Sequence, residues 1–399
     1  MISRHFASRA GLALLATTLA VAGCDAHRSP DASGTARAMS ATTTAASTST
    51  CAQRVEAAMN DTQRVGQLFM GAAVLPTTPK ADLDAMRTYA VGSVMLAGRS
   101  TAGVQKTRAF ADQLQGMRQT VAGQRVGLLI STDQEGGQVQ VLKGPGFSTI
   151  PNGVTQGRYT VTWLRQQVAT WTAQLRSAGV NVNLAPVADI VPASLGTANA
   201  PIGKYGRQFG STSAVVSPHV TAYVQGGTRS KVLTTPKHFP GLGSVRGNTD
   251  VTAGVTDTTL TRTGANVAPF KAGIAAGAAL VMVSTATYKR IDAAHQAAYS
   301  SVVITGMLRN DLGFKGVVIS DDLGKAASAQ SLAVGKRALA FLRAGGDLVL
   351  TVQPTGIPAM AEGIRYAMRH EPAVRTRVHD SVLRVLAAKE AAGVLACTA

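Results

Sequence analysis

Residues 316–324 have the sequence Gly-Val-Val-Ile-Ser-Asp-Asp-Leu-Gly. A glycine opens a run of β-branched residues, and the run ends on two adjacent carboxylates, Asp321 and Asp322. A short apolar run of this kind is typical of a strand that is buried on both faces of a parallel sheet. Because parallel α/β folds carry their functional groups at the carboxyl ends of the strands, we expect Asp321 to lie in a pocket there.

Similar apolar runs recur along the chain and alternate with amphipathic segments such as 162–178 and 332–344. Eight strands are predicted, at residues 65–74 (part of which suits a helix), 91–96, 126–131, 180–186, 231–237, 278–284, 316–320 and 347–352. Eight strand–helix units within residues 51–399 favour an α/β fold, and within that class a single (β/α)8 TIM-type barrel. The alternative is a doubly wound open sheet, although no Gly-x-Gly-x-x-Gly follows the first strand.

Polar residues directly follow the apolar part of several of these runs. They are Asp133, Glu135, Asp189, Lys237, His238, Ser284, Asp321 and Asp322. In a barrel all of these positions lie on one rim, so they predict an active site there. The chain has no His-x-His, Cys-x-x-Cys or His-Glu-x-x-His pattern, so neither a metal nor a cofactor is expected. Carboxylates without metal-ligand spacing suit glycoside hydrolysis, which needs a nucleophile or base and an acid on either side of a sugar bond.

The amino-terminal residues predict an export signal. Arg4 and Arg9 flank the start of an apolar segment, residues 11–22, that is too short to span a bilayer. The segment is followed by Gly23-Cys24 and resembles a bacterial lipobox, so we expect residues 1–23 to be removed and Cys24 to be lipidated. The alternative is an ordinary secreted protein with a chance cysteine.

Residues 24–50 consist mostly of Ser, Thr and Ala and predict a disordered tether, which leaves residues 51–399 as the folded domain. The mature protein is therefore expected on the extracytoplasmic face of the cell membrane, held by its lipid anchor, or else secreted. Cys51 and Cys397 stand at the two ends of the folded domain. Because domain termini often lie close together and exported proteins meet an oxidising environment, we predict a disulfide between them; two free thiols are the alternative.

The charge of the chain is strongly positive. The formal net charge is +18, and about +16 belongs to residues 51–399, because Arg4 and Arg9 leave with the signal. A basic exported domain suits an anionic cell wall or membrane surface. No basic stretch interleaved with aromatic residues occurs, and export separates the protein from nucleic acid, so no nucleic-acid partner is expected. We expect a monomer.

Five stretches of the chain, in order, resemble motifs of the β-N-acetylhexosaminidases of glycoside hydrolase family 3. They are 133–137 (Asp-Gln-Glu-Gly-Gly), 183–189 (Asn-Leu-Ala-Pro-Val-Ala-Asp), 207–210 (Arg-Gln-Phe-Gly), 237–241 (Lys-His-Phe-Pro-Gly) and 313–323 (Gly-Phe-Lys-Gly-Val-Val-Ile-Ser-Asp-Asp-Leu). The resemblance implies a (β/α)8 barrel and a retaining mechanism in which Asp321 is the nucleophile. It also implies that the sugar is bound by Asp133, Arg207, Lys237 and His238. Asp322 is interpreted as a strand-end residue that supports the site.

The chain departs from the family where the acid/base residue is expected. After Lys-His-Phe-Pro-Gly the family usually has His-Gly and then, beyond a short loop, Asp-Ser-His, whose histidine is the acid/base. This chain has Leu242 in place of the first histidine and Asn248-Thr249-Asp250 in place of the last motif. Three interpretations remain open: Asp250 is the acid/base with a raised pKa, another residue such as Glu135 or Asp257 takes that role, or the protein binds sugar and cleaves it poorly. Because Asp250 would repel phosphate, we expect hydrolysis rather than phosphorolysis.

Two further departures lie near the expected site. Gln138 stands where the family usually has arginine, and Gly324-Lys325 stands where a small polar residue and methionine are usual. The substrate is therefore expected to differ in detail.

Together these features predict an exported lipoprotein that removes β-linked N-acetylglucosamine from cell-wall glycans by a retaining mechanism. One alternative is a catalytically weak lipoprotein that binds wall sugars. The other is a β-glucosidase-type member of the same broad family, although those members usually have Ser-Asp-Trp and a second domain, whereas this chain has Ser320-Asp321-Asp322.

Overall fold

The structure of the protein, a computed structural model, describes residues 49–397. The predicted signal peptide (1–23), the predicted lipidation site Cys24 and the tether up to residue 48 lie outside the described residues. No helix of the described part combines the length and apolar character that a membrane span requires.

Fifteen strands are assigned among the described residues. They are β1 (Phe69–Leu75), β2 (Ser93–Gly98), β3 (Gln119–Val121), β4 (Gln124–Val126), β5 (Leu129–Thr132), β6 (Gln134–Gly136), β7 (Val139–Gln140), β8 (Val182–Asn183), β9 (Leu233–Thr234), β10 (Thr256–Asp257), β11 (Leu280–Val283), β12 (Thr287–Tyr288), β13 (Asp292–Gln296), β14 (Val317–Ser320) and β15 (Val349–Thr351).

Eleven α-helices accompany these strands in the described residues. They are α1 (Cys51–Ala58), α2 (Asp61–Gln67), α3 (Lys80–Thr88), α4 (Gly103–Gln115), α5 (Gly153–Gln156), α6 (Val161–Ser177), α7 (Ser213–Arg229), α8 (Ala268–Ala275), α9 (Val334–Ala344), α10 (Ile357–His370) and α11 (Pro372–Ala391). Residues Val302–Asp311 form a π-helix, and short 3-10 segments include Ala327–Ser331.

Six strands form one curled, wholly parallel sheet in the order β15-β1-β2-β5-β8-β9. β11 and β14 form a second parallel pair. Single parallel bridges continue the pattern between these two groups, at Phe239 with Val283 and at Ile319 with Leu348. An α/β fold with a curled parallel sheet is therefore confirmed.

Each of the eight predicted runs overlaps one of these parallel strands. In the first run, residues 65–67 belong to α2 and the strand begins at Phe69. The amphipathic segment 162–178 corresponds to α6, which starts where the side chain of Thr160 accepts a hydrogen bond from the backbone of Trp163. Such a cap satisfies one of the free N–H groups at the start of a helix.

The apolar core has two layers, one on each face of the sheet. Val317 and Ile319 of β14 belong to one buried cluster, which also contains Met70 and Leu129, whereas Val318 belongs to the larger second cluster. Side chains that alternate along a strand point to opposite faces. Both faces of β14 are therefore buried, which explains why the run is apolar without interruption.

The two ends of the described chain meet at the amino-terminal end of the sheet. Gly127, which precedes β5, donates a backbone hydrogen bond to Val394, and Cys397 forms a disulfide with Cys51 across a Cα–Cα distance of 5.7 Å. The fully buried Lys389 of α11 lies in the same region, where its Nζ donates to the carbonyls of Gly92 (2.8 Å) and Gly127 (2.7 Å).

Candidate active site

A pocket of about 660 Å³ lies at the carboxyl ends of the parallel strands. All six predicted catalytic and sugar-binding residues line it: Asp133, Arg207, Lys237, His238, Asp250 and Asp321. They come from segments that are far apart in the chain, and the curled sheet brings them together because parallel strands end on the same side.

A buried ion-pair network forms one part of the pocket. The Nζ of Lys237 lies 2.6 Å from a carboxylate oxygen of Asp133 and 2.6 Å from one of Glu135. Arg207 donates two hydrogen bonds to Glu135, at 2.7 and 2.8 Å, in a bidentate arrangement. Such charge-assisted bonds are short and directional. The network therefore fixes the two cations and Asp133 in the pocket.

Glu135 does not suit the role of proton donor. Burial acts to raise its pKa, but Arg207 and Lys237 outweigh that effect and hold the pKa at about 2. The same carboxylates raise the pKa of Lys237 against the effect of its burial. Glu135 thus stays ionised at neutral pH, and its function is to hold the cations in place.

His238 is oriented by a carboxylate beneath it. Its Nδ1 lies 2.8 Å from Oδ2 of Asp189, and the other oxygen of Asp189 accepts the backbone N–H groups of His238 (3.2 Å) and Leu242 (2.7 Å). Asp189 is fully buried. Because Nδ1 donates to this carboxylate, Nε2 is the ring nitrogen left for the pocket.

Asp321 and Asp322 are adjacent in sequence but have different surroundings. The carboxylate of Asp322 accepts backbone N–H groups from Gly324, Lys325, Ala326 and Val352, at 2.7–2.9 Å. Asp321 accepts only from the N–H of Asp322 among the described residues. Asp322 therefore shapes the loop that follows β14, and Asp321 is left to face the pocket.

The loop that carries Asp250 is held at both ends by hydrogen bonds. Near its start, the side-chain amide of Asn199 donates to the carbonyls of Leu242 (2.8 Å) and Val245 (2.7 Å). At its end, the backbone N–H of Ala327 donates to the carbonyl of Asp250 (3.0 Å). Because Ala327 belongs to the segment that follows Asp321, these contacts place the two carboxylates in one pocket.

Asp250 has a raised pKa although it remains accessible to solvent. The surrounding protein atoms displace water from it, and the charge of Asp321 adds to that effect, so that its pKa rises to about 6. His238 and Arg207 act in the opposite direction. A carboxyl group with this pKa can hold a proton near neutral pH and release it readily.

Asp257 lies away from this arrangement. It is buried, it does not line the pocket, and one of its oxygens accepts the backbone N–H groups of Thr259 and Leu260, each at 2.7 Å. Its contacts are those of a turn-forming aspartate.

The sequence analysis placed Asp189 on the rim but did not pair it with His238, because spacing alone gives no pairing. It missed Arg99 altogether. Arg99 follows β2 and lines the pocket; its guanidinium donates to the carbonyls of Gly98 (2.8 Å) and Gln138 (3.1 Å). No motif pointed to Arg99. Within residues 49–397 no group of three His, Cys, Asp or Glu side chains is arranged to hold a metal.

Comparison with known proteins points in one direction. Residues 61–388 match the family described as "Glycosyl hydrolase family 3 N terminal domain". The chain is 39% identical over 234 residues to the β-hexosaminidase of Stenotrophomonas maltophilia (strain K279a), which covers 57% of this chain and 67% of that protein.

Solved structures show the same relationship. The crystal structure of a β-N-acetylhexosaminidase from Beutenbergia cavernae DSM 12333 is 44% identical, has a TM-score of 0.81, and the match covers 83% of this chain and 99% of that one. The structure of a glycoside hydrolase family 3 β-N-acetylglucosaminidase from Paenibacillus sp. str. FPU-7 is 28% identical with a TM-score of 0.75, and the match covers 86% of this chain and 64% of that one.

Proposed function

Because the chain belongs to glycosyl hydrolase family 3 and is a glycosidase, we propose that it removes β-linked N-acetylglucosamine by a retaining mechanism in which Asp321 is the nucleophile and Asp250 the acid/base. The observation that carries this proposal is that the two carboxylates share one pocket and that Asp250 has its pKa raised to about 6, in part by Asp321. The names of its relatives, β-hexosaminidase and β-N-acetylhexosaminidase, support the choice of sugar.

In the first step, the carboxylate of Asp321 attacks the anomeric carbon. The bond from that carbon to the leaving-group oxygen breaks, and Asp250 donates its proton to that oxygen. In the second step, Asp250 takes a proton from water, the water oxygen attacks the anomeric carbon, and the ester to Asp321 breaks. Asp250 then again carries a proton, and the sugar leaves with its original anomeric configuration.

The residues of the ion-pair network hold the sugar during both steps. Lys237 and Asp133, bonded to each other at 2.6 Å, offer a donor and an acceptor to neighbouring hydroxyls. Arg207, fixed by Glu135, adds a further oriented donor, and His238, fixed by Asp189, presents its Nε2 to the sugar in one orientation. Since all four side chains are already positioned by protein contacts, little ordering remains to be done when the sugar binds.

Water, rather than phosphate, is the proposed acceptor in the second step. Asp250 becomes negatively charged once it has donated its proton, and it would repel a phosphate anion at the position from which the acceptor attacks. Turnover is therefore expected to be insensitive to added phosphate. Acceleration by phosphate, together with release of a sugar 1-phosphate, would show that the acceptor has been assigned wrongly.

The experiment that tests the two roles compares two N-acetyl-β-glucosaminides, one with a 4-nitrophenyl and one with an alkyl leaving group. Asp321→Asn is expected to lose turnover of both, whereas Asp250→Asn should lose far more on the alkyl glycoside, which needs a proton. Asp112→Asn, which changes an exposed carboxylate bonded to Arg108, is the matched control and should behave as wild type. Equal losses on both substrates in Asp250→Asn would remove it from the acid role. Sugar binding without turnover in wild type would favour a sugar-binding protein.

We also propose that the eight parallel strands close into a complete (β/α)8 barrel. The single bridges from Phe239 to Val283 and from Ile319 to Leu348 support closure, because they join the two-stranded pair to both edges of the six-stranded sheet.

Export as a lipoprotein and a substrate derived from the cell wall form the last part of the proposal. The lipobox-like segment that ends at Cys24 and the excess of basic residues support them, as does the disulfide, since such bonds persist in oxidising compartments. Metabolic labelling with a radioactive fatty acid should mark the wild type and not Cys24→Ser. Equal labelling of both would exclude this anchor.

A further inference from the structure

The charges that line the pocket divide into a paired and an unpaired set. Asp133 and Glu135 are bonded to Lys237 and Arg207, and Asp322 is enclosed by backbone N–H groups. The two carboxylates with proposed catalytic roles, Asp250 and Asp321, line the pocket without an ion-pair partner among the described residues. Two further cations, Arg99 and Lys325, line the same pocket, and neither lies within salt-bridge distance of a carboxylate among the described residues.

The backbone of Lys325 is held by a hydrogen bond, whereas its ammonium group has no ion-pair partner among the described residues. Lys325 stands four residues after Asp321 in the sequence. Its backbone N–H donates to Oδ2 of Asp322 at 2.8 Å, and the residue as a whole is exposed. The backbone of Lys325, which lines the pocket, is thus set by the same carboxylate that shapes the loop after β14.

Arg99 is held only by uncharged groups. Its Nη1 and Nη2 donate to the carbonyls of Gly98 and Gln138, at 2.8 and 3.1 Å. Carbonyl oxygens orient a guanidinium without neutralising it, so its full charge remains available at the pocket.

These two cations belong to a different part of the rim from the sugar-holding residues. Asp133 follows β5, Asp189 follows β8, and Lys237 and His238 follow β9. These residues therefore lie on the β5-β8-β9 side of the sheet. Arg99 follows β2 and Lys325 follows β14, and the bridge of β14 to the segment of β15 places both on the β14-β15-β1-β2 side.

We infer that Arg99 and Lys325 form a subsite for an acidic substituent, a carboxylate or a phosphate, on the leaving group of the substrate. The inference rests on the proposed function, because it assigns the leaving group to the side of the pocket that the sugar-holding residues do not occupy. An anion placed there would meet two cations that no carboxylate of the described residues pairs with. The arrangement makes these two residues determinants of substrate specificity.

The experiment uses three N-acetyl-β-glucosaminides whose leaving groups are built on the same phenol. The phenol carries a carboxamide, a carboxylate or a phosphate at the end of the same alkyl spacer. The spacer keeps the pKa of the phenol the same, so that only the distant charge differs. The ratio of kcat/KM for each anionic substrate to that for the carboxamide is measured for wild type, Lys325→Met and Arg99→Gln/Lys325→Met. The carboxylate and phosphate arms show which anion is preferred.

Wild type is expected to prefer an anionic substrate, and each substitution should lower that ratio by about 2- to 5-fold, the range measured for exposed ion pairs. The preference should also decline as salt is added. Lys336→Met, which removes an exposed lysine in α9 outside the pocket lining, is the matched control and should leave the ratio unchanged. A ratio that is the same in wild type and in the double variant would overturn the inference.

A binding measurement separates this inference from the proposed function. Calorimetric titration of Asp321→Asn with the same three glycosides reports charge preference without turnover. Tighter binding of the anionic glycosides that disappears when Arg99→Gln/Lys325→Met is added supports the subsite even if no hydrolysis is seen in wild type. Hydrolysis without any charge preference would leave the proposed function standing and remove the subsite.

Discussion

At the scale of single residues, Asp250 differs from an ordinary aspartate because its surroundings raise its pKa to about 6. If the proton on Asp250 is needed by the leaving group, kcat/KM for an alkyl glycoside should fall as the pH rises through about 6. Asp250→Asn should lack this fall and should be slower by roughly 10²- to 10⁴-fold below it. The pH profile of kcat/KM checks both points.

A profile that keeps the same fall in Asp250→Asn would assign the titration to another group. The 4-nitrophenyl glycoside provides an internal control, because a good leaving group needs little protonation and its profile should be flatter in both proteins.

Lys389 is the second residue with a consequence at this scale. It is fully buried, its Nζ reaches two carbonyls and no carboxylate of residues 49–397, and burial lowers its pKa to about 7. The unfolded chain therefore binds more protons than the folded chain above that pH. The free energy of unfolding should rise with pH from about 7 toward 10, by at most about 1.4 kcal/mol per unit.

Urea denaturation of wild type and Lys389→Met across this range measures the effect. The difference in unfolding free energy between the two proteins should change with pH, whereas Lys271→Met, at an exposed position of α8, should run parallel to wild type. A constant difference for Lys389→Met would mean that the lysine keeps its ordinary pKa in the folded protein.

The sequence predicted the residues that belong to motifs but not the pairs they form. Asp133, Arg207, Lys237, His238, Asp250 and Asp321 were all expected near one another, and all line one pocket. The bonds from Asp189 to His238 and from Glu135 to Arg207 depend on side chains 49 and 72 residues apart, and only the folded sheet brings such partners together. Arg99 belongs to no motif, because its role depends on where β2 ends.

At the scale of elements, the position of Asp250 depends on the loop between residues 241 and 250 rather than on a strand. The two hydrogen bonds from the amide of Asn199 hold the start of this loop, and Asn199 also accepts the N–H groups of Ile202 and Gly203. Asn199→Asp keeps the accepting oxygen and loses the two donors. Since Asp250 would then be held less firmly, turnover of the alkyl glycoside should fall more than that of the 4-nitrophenyl glycoside.

Steady-state kinetics of both substrates, with unfolding followed in parallel, tests this expectation. Asn60→Asp is the matched control, because Asn60 caps α2 through its side-chain oxygen, which aspartate replaces equally well. Equal losses on both substrates in Asn199→Asp would indicate a general loss of structure rather than a misplaced acid.

The strands were predicted better than the segments that join them. Apolar runs identified the six strands of the curled sheet and the β11-β14 pair, because residues buried on both faces leave a continuous signal. Their bounds were less well predicted: β8 and β9 each comprise two residues, where the sequence suggested seven. The loops carry polar side chains whose partners lie elsewhere in the chain, so the path of the segment that brings Asp250 to Asp321 could not be predicted.

At the scale of the whole molecule, the disulfide joins Cys51 of α1 to Cys397 at the end of the described chain, and the two cysteines are 346 positions apart in the sequence. Long loops lose much conformational entropy in the unfolded state when they are closed in this way. Cys51→Ser/Cys397→Ser should lower the free energy of unfolding by about 2–5 kcal/mol. The glycosidase activity of the folded protein should be unchanged at low temperature, because the disulfide lies at the end of the sheet opposite the pocket.

Urea denaturation with and without a reducing agent measures this contribution. Reduction should destabilise wild type as much as the double substitution does, and it should have no further effect on the double variant. An unfolding midpoint that does not respond to reduction in wild type would show that the disulfide contributes nothing to stability.

The same bond makes the folded domain a closed covalent ring. A protease that cuts one surface loop of a linear chain produces two pieces, but here the pieces on either side of the cut remain joined through Cys51 and Cys397. A single cut would then open the ring without dividing the molecule, and the nicked protein would migrate as one species until the disulfide is reduced. The proposed export would expose the protein to secreted proteases, and the closed ring would then preserve the pocket through the first cleavage.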